Sequence, residues 1–190
     1  MAAQNGAMPA TRPSSQLLTI QSFGDISRFL REGVADEESR QLRDSLGALS
    51  VHIDEAVRAR RTSQDTQTIT RRVAALSQCA REHQLFLTGL GSAWHALYEF
   101  GAYQRALREL RQAIASWQQM LEHRSAKERA SFDQFELLAW RTLGEALLLV
   151  DMYEHQSNPQ SDLPQGAEPA AQPRSALQRV RAWWKRWRRS

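Results

Sequence analysis

Between Ile69 and Leu97 the apolar residues recur as Ile69, Val73, Leu76, Ala80, His83, Leu87, Leu90, Trp94 and Leu97, a spacing of four and three held for four heptads. A strand alternates every second residue, so this rhythm belongs to a helix that buries one stripe against a neighbour. A seam of that length predicts an antiparallel hairpin or coiled coil, and it would also allow a homodimer. Thr66 or Asp65 is expected to cap the helix and Gly101 to end it.

The same rhythm recurs on both sides of that seam. Leu42, Leu46, Leu49, Ile53 and Val57 give one apolar face to a helix expected to start at Asp36, where Glu37 and Glu38 suit the positive end of the helix dipole. A third helix is expected over about 103–123, with Leu107, Leu110, Ile114, Trp117 and Leu121 in register. A fourth, over about 126–155, carries Phe132, Phe135, Ala139, Leu143, Ala146, Val150 and Tyr153 on one side. Ahead of them Asp25 is expected to cap a short helix, "ISRFLREG", stopped by Gly33. Each stripe must be covered, so the expected fold is all-α. It is an antiparallel bundle of about four long amphipathic helices with a short N-terminal helix, a flexible linker and a C-terminal amphipathic helix. Residues 1–22 read as a mobile N-terminal arm and 23–155 as the bundle. Residues 156–173, with four of the six prolines, read as a flexible linker, and 174–190 as a separate basic tail.

Within the bundle, "LGSAWHALYEFGAYQRALRELRQAIASW" resembles the second half of a tetratricopeptide repeat through Gly101, Tyr103, Ala106, Leu110 and Ala113. "AWRTLGEALLLVDMY" resembles the first half through Trp140, Leu143, Gly144, Ala146 and Tyr153. Small residues at those offsets let two helices approach closely. The resemblance covers the stretches 90–114 and 140–153 and implies binding of a peptide or protein partner. Trp94 stands where the repeat prefers a small residue, and the copies lie farther apart than its period of about 34 residues. No family is assigned on it.

The net charge of +4 conceals two unlike regions. Seven cations and no acid fall in residues 174–190, so the rest of the chain nets −3. A mildly acidic body is poorly suited to holding nucleic acid along its whole surface. The one cysteine, Cys79, leaves no internal disulfide, and the N-terminus lacks the basic start and apolar stretch of a secretory signal. With no long apolar run to span a bilayer, the expected location is cytoplasmic, peripheral at a membrane.

Chemistry-bearing patterns are sparse. There is no phosphate-cradling glycine loop, paired-cysteine spacing or nucleophile elbow. His52, His83, His95, His123 and His155 are spread along different expected helices. His95 and Glu99, four apart, have the best spacing for a metal, but no third ligand accompanies them. His83 falls on the apolar seam, the usual place of a hydrogen-bonded core histidine. Cys79, beside that seam, reads as a small core residue. The charges of "RALRELRQ" and "HIDEAVRARR" read as solvated helix faces. No catalytic residue, cofactor or metal is expected, and the chain reads as a non-enzymatic protein.

The tail is the sharpest feature. On a wheel of about 100° per residue, Leu177, Val180, Trp183, Trp184 and Trp187 share one arc of about 120°. Arg174, Arg179, Arg181, Lys185, Arg186, Arg188 and Arg189 fall outside it. Such a helix, roughly 24 Å long at about 1.5 Å per residue, is too short and too charged to cross a bilayer but suits its interface. The expected function is an adaptor or chaperone-like interaction module. Its bundle would hold a protein partner, and those twelve tail residues would attach to an anionic membrane surface. The alternative is a nucleic-acid-binding accessory protein, the same cations on phosphates and the same tryptophans on unpaired bases.

Overall fold

A computed structural model describes residues 21–31, 37–63 and 65–157. The described chain is all-helical: α1 (Phe23–Arg31), α2 (Glu37–Thr62), α3 (Thr66–Thr88), α4 (Ser92–His95), α5 (Tyr98–Glu122) and α6 (Glu128–Ser157) pack together. Of the arm expected over 1–22 only Gln21 and Ser22 are described, and Ser22 belongs to the start of α1. Helix α6 runs to Ser157, two residues into the linker expected over 156–173, and residues 158–173, the tail, Gly33 and Asp36 lie outside the described residues.

The apolar stripes form one core. Leu42, Leu46, Leu49 and Ile53 of α2 are fully buried, as are Val73, Leu76 and Ala80 of α3, Leu110 and Trp117 of α5, and Phe135, Ala139 and Leu143 of α6. The most extensive packing is α5 on α6, followed by α1 on α2, α2 on α3, α3 on α5 and α2 on α6. Polar pairs fix the register at both ends. The start of α2 meets the end of α6 where Arg43 pairs with Glu154. The end of α2 meets the start of α6 where Arg60 pairs with Glu128 and Arg61 with Glu136. Arg60 is thus tied into packing, unlike the solvated cation expected of it.

The helix ends show where periodicity misleads. Asp65 does cap α3, accepting from the Gln67 and Thr68 backbone N–H groups at 3.0 Å each. At the other end α3 stops at Thr88, and the expected continuous helix to Gly101 is replaced by a turn through Gly89 and Gly91, the single turn α4, and a restart at Tyr98. Two glycines two residues apart remove the propensity that would carry a helix across. Leu90, Trp94 and Leu97 still face the core, from separate elements. Gly101 lies inside α5. His95 and Glu99, expected on one helix, stand on α4 and α5.

The N-terminus of α1 also differs. Ser22, not Asp25, is the cap: the Asp25 backbone N–H donates to Ser22 Oγ, and the Ser22 N–H and hydroxyl both donate to the Asp25 carboxylate at 2.9 Å. This is a reciprocal capping box. Hydrogen bonds led by the Gln21 N–H hold the Asp25 carboxyl below its usual range. Ser22→Ala should lower stability by about 1 kcal/mol, read as a shifted denaturation midpoint with an unchanged slope.

Candidate functional site

Two polar constellations are built into the helices. The first lies inside. His83 on α3 is buried, with Nδ1 2.6 Å from Ser45 Oγ on α2 and Nε2 2.5 Å from the Tyr103 hydroxyl on α5. A neutral imidazole donates from one nitrogen and accepts at the other, so it pins three helices with no unpaired atom. Burial pushes the ring down to about 4 and lifts the Tyr103 phenol well above its ordinary value. The expected core histidine is found, now with its partners named. Ser45 and His83 have the separation of a nucleophile and its base. A base works best with a pKa near the working pH, and the second ring nitrogen faces a phenol where a triad would place a carboxylate. The arrangement acts as a core pin.

Cys79, one turn before His83, is partly buried against the core. Burial, helped by Glu82, pushes its thiol up to about 11, so it is almost wholly protonated at neutral pH and a weak nucleophile.

The second constellation gathers where α6 ends. Trp94 of α4 stacks on Tyr153 of α6, centroids 3.5 Å apart and planes within 5°. The indole N–H of Trp94 donates to Glu38 Oε2 at 3.1 Å. A Cβ at Gly91 would stand 3.1 Å from the other Glu38 oxygen, so a glycine there lets the carboxylate close over the turn. Beneath it Arg43 donates through Nε and Nη2 to the two oxygens of Glu154, each at 2.8 Å, and through Nη1 to the Leu30 carbonyl of α1. The Ser39 hydroxyl donates to the same carboxylate. Four helices, α1, α2, α4 and α6, therefore converge near the end of α6.

The twelve tail residues singled out from sequence, Arg174, Leu177, Arg179, Val180, Arg181, Trp183, Trp184, Lys185, Arg186, Trp187, Arg188 and Arg189, lie outside the described residues. Among the described residues no group of three or more His, Cys, Asp or Glu side chains could hold a metal, and no helix is long and apolar enough to cross a membrane. His95 is exposed and lies against Phe100, ring centroids 4.5 Å apart. Sequence reasoning passed over Arg43, Ser45 and Glu154, and read Glu38 only as an acid suited to the start of α2. Arg43 carried a signal: it adjoins Leu42 and lies three residues before Leu46, so a cation there sits at the edge of an apolar stripe. Comparison with family models, with curated proteins and with solved structures finds no match to this chain.

Proposed function

We propose that the protein is a non-enzymatic helical interaction module, an adaptor or chaperone-like protein of the cytoplasm that works peripherally at an anionic membrane surface. In this reading α2, α3, α5 and α6 close an antiparallel four-helix bundle that offers its outer faces to a protein partner. Residues 156–173 serve as a tether and 174–190 as the membrane contact. One observation carries the proposal: in the tail's helical wheel all three tryptophans share one face and all seven cations the other. Tryptophan rings favour the headgroup region, and each cation near an anionic surface contributes about 1 kcal/mol.

Co-flotation with neutral and with anionic vesicles tests it, using the full chain and a chain ending at Pro173. Only the full chain should float, only with anionic vesicles, and with a blue shift in emission. Trp94 and Trp117, fully buried, supply a steady background. If neither chain floats, the membrane reading fails. Tight binding of the full chain to single-stranded nucleic acid, falling steeply with salt, would favour the accessory-protein alternative.

A further inference from the structure

The cations of the described helices are not evenly paired. On α2 and α6, Arg40, Arg43, Arg58, Arg60, Arg61 and Arg141 meet carboxylates and the exposed Arg129 is the exception, while on α3 Arg72 meets Glu55. On α5, Arg105 and Arg108 are exposed and make no ion pair with another described residue, and Arg111 hydrogen-bonds across to Gln84 of α3. Arg81 of α3 is exposed and reaches only Ser77 and Gln78 of its own helix. Because Arg111 meets Gln84, Arg81 lies within about a turn of it along the α3/α5 seam. Four arginines without a carboxylate partner among the described residues thus share one face of a body that is acidic on balance.

The nearby acids do not neutralise that face. Glu109 is taken by Arg141 of α6 and Glu99 is partly buried; Glu82, exposed beside Arg81, keeps its charge but is one carboxylate against four guanidinium groups.

The same face carries two of the three large apolar side chains exposed among the described residues: Leu85, 70% exposed, and Tyr98, 79% exposed. Leu85 stands one turn beyond Arg81 on α3. Tyr98, Arg105 and Arg108 follow at intervals of seven and three along α5, which places them on one stripe. Single exposed apolar residues are ordinary; here each lies on a helix beside arginines that meet no described carboxylate. The face also lies near the end of α6, since Trp94, stacked on Tyr153, lies four residues before Tyr98.

We infer that the α3/α5 face is a second contact for an anionic lipid bilayer, laying the bundle flat on the surface to which the tail attaches. The inference rests on the membrane reading of the tail and extends it to the folded body. Arg81, Arg105, Arg108 and Arg111 meet lipid phosphates, while Leu85 and Tyr98 enter the headgroup layer. An exposed leucine gains by entering hydrocarbon and has no ring to stack on a base, which favours lipid over nucleic acid.

The test uses the full chain on phosphatidylcholine vesicles with and without phosphatidylserine. Combined Arg81→Gln, Arg105→Gln and Arg108→Gln substitutions keep good helix formers at exposed positions. At about fivefold per arginine, they should weaken partitioning on the order of 100-fold. A second measurement reads orientation. With Cys79→Ser as background, a polarity-sensitive label at Gln112→Cys on the α5 stripe should shift blue on anionic vesicles, and one at Ala48→Cys, exposed on α2, should not. Trp183→Ala, Trp184→Ala and Trp187→Ala in the full chain report on the tail separately. If the arginine variant partitions like the parent and both labels respond alike, the face inference is overturned while the tail reading stands. If the tail variant binds like the parent but the arginine variant does not, the tail reading fails and the face remains. Failure of the parent to bind anionic vesicles overturns both, and preferential binding to a single-stranded oligonucleotide through the same arginines overturns the lipid assignment.

Discussion

Trp117→Ala should remove about 4 kcal/mol of unfolding free energy, a large share of the 5–15 kcal/mol that a domain of this size holds. The side chain is fully buried on α5, and its ring lies 4.9 Å from that of Phe135 and 5.0 Å from that of Phe132, both on α6. Truncation therefore opens a cavity at the most extensive helix contact in the molecule. A polar loss adds to it: the indole N–H donates to Glu128 Oε1 at 2.8 Å, the carboxylate that also receives Arg60 through two bonds of 2.7 Å. Burial works against the Glu128 charge, and those hydrogen bonds more than offset it, holding the carboxyl below its usual range. Trp117→Phe separates the two contributions by keeping a ring without the donor, and should cost about 1–2 kcal/mol. Urea denaturation measures both. A Trp117→Ala loss below about 1 kcal/mol would show that α5 and α6 are held by something other than this aromatic cluster.

Stability should also fall by roughly 3 kcal/mol between pH 6.5 and pH 4 through His83 alone. The ring titrates near 6.5 in the unfolded chain and near 4 when folded, because burial disfavours its charged form. Above pH 6.5 both states are neutral and His83 has no effect. As pH falls through the window, only the unfolded chain takes up the proton, so unfolding becomes progressively easier, and the loss levels off below the folded value. Other carboxyls held low in the fold, Asp25 and Glu128 among them, add their own losses at more acidic pH. The comparison is therefore with His83→Gln, which retains a donor and an acceptor and does not titrate. Denaturation at pH 7 and pH 4 should show a drop smaller by roughly 3 kcal/mol in the variant. Equal drops would mean that the ring is protonated in the folded state and the Ser45 and Tyr103 contacts rearrange around it.

Most of the core was legible because helical burial is periodic. Leu42, Leu46, Leu49, Ile53 and Val57 could be placed on one face of α2 from spacing alone, and all are buried. The α3 seam shows the limit of that signal. The phase of the apolar residues survives from Leu87 to Leu97 although the helix does not, because what periodicity reports is which residues face inward. Continuity depended on Gly89 and Gly91, whose propensity cost was outweighed in the reading by the regular spacing around them. At α1 the reading favoured an aspartate as cap where a serine three residues earlier supplies it. The Arg43–Glu154 pair had no local trace, since its partners are separated by 111 residues. The tail was legible as a pattern only, and that is the form in which it enters the proposals above.

The pair at the end of α6 has a mechanical meaning. Tension on the chain beyond Ser157 would run along the axis of α6 and reach Glu154 within a turn. There Arg43 grips both carboxylate oxygens and is itself braced on the Leu30 carbonyl. The load is thus shared at once among α6, α2 and α1, so the linkage resists in shear instead of peeling open turn by turn. If residues 156–173 act as the proposed tether, a pull on them reaches α6, α2 and α1 together through this one pair.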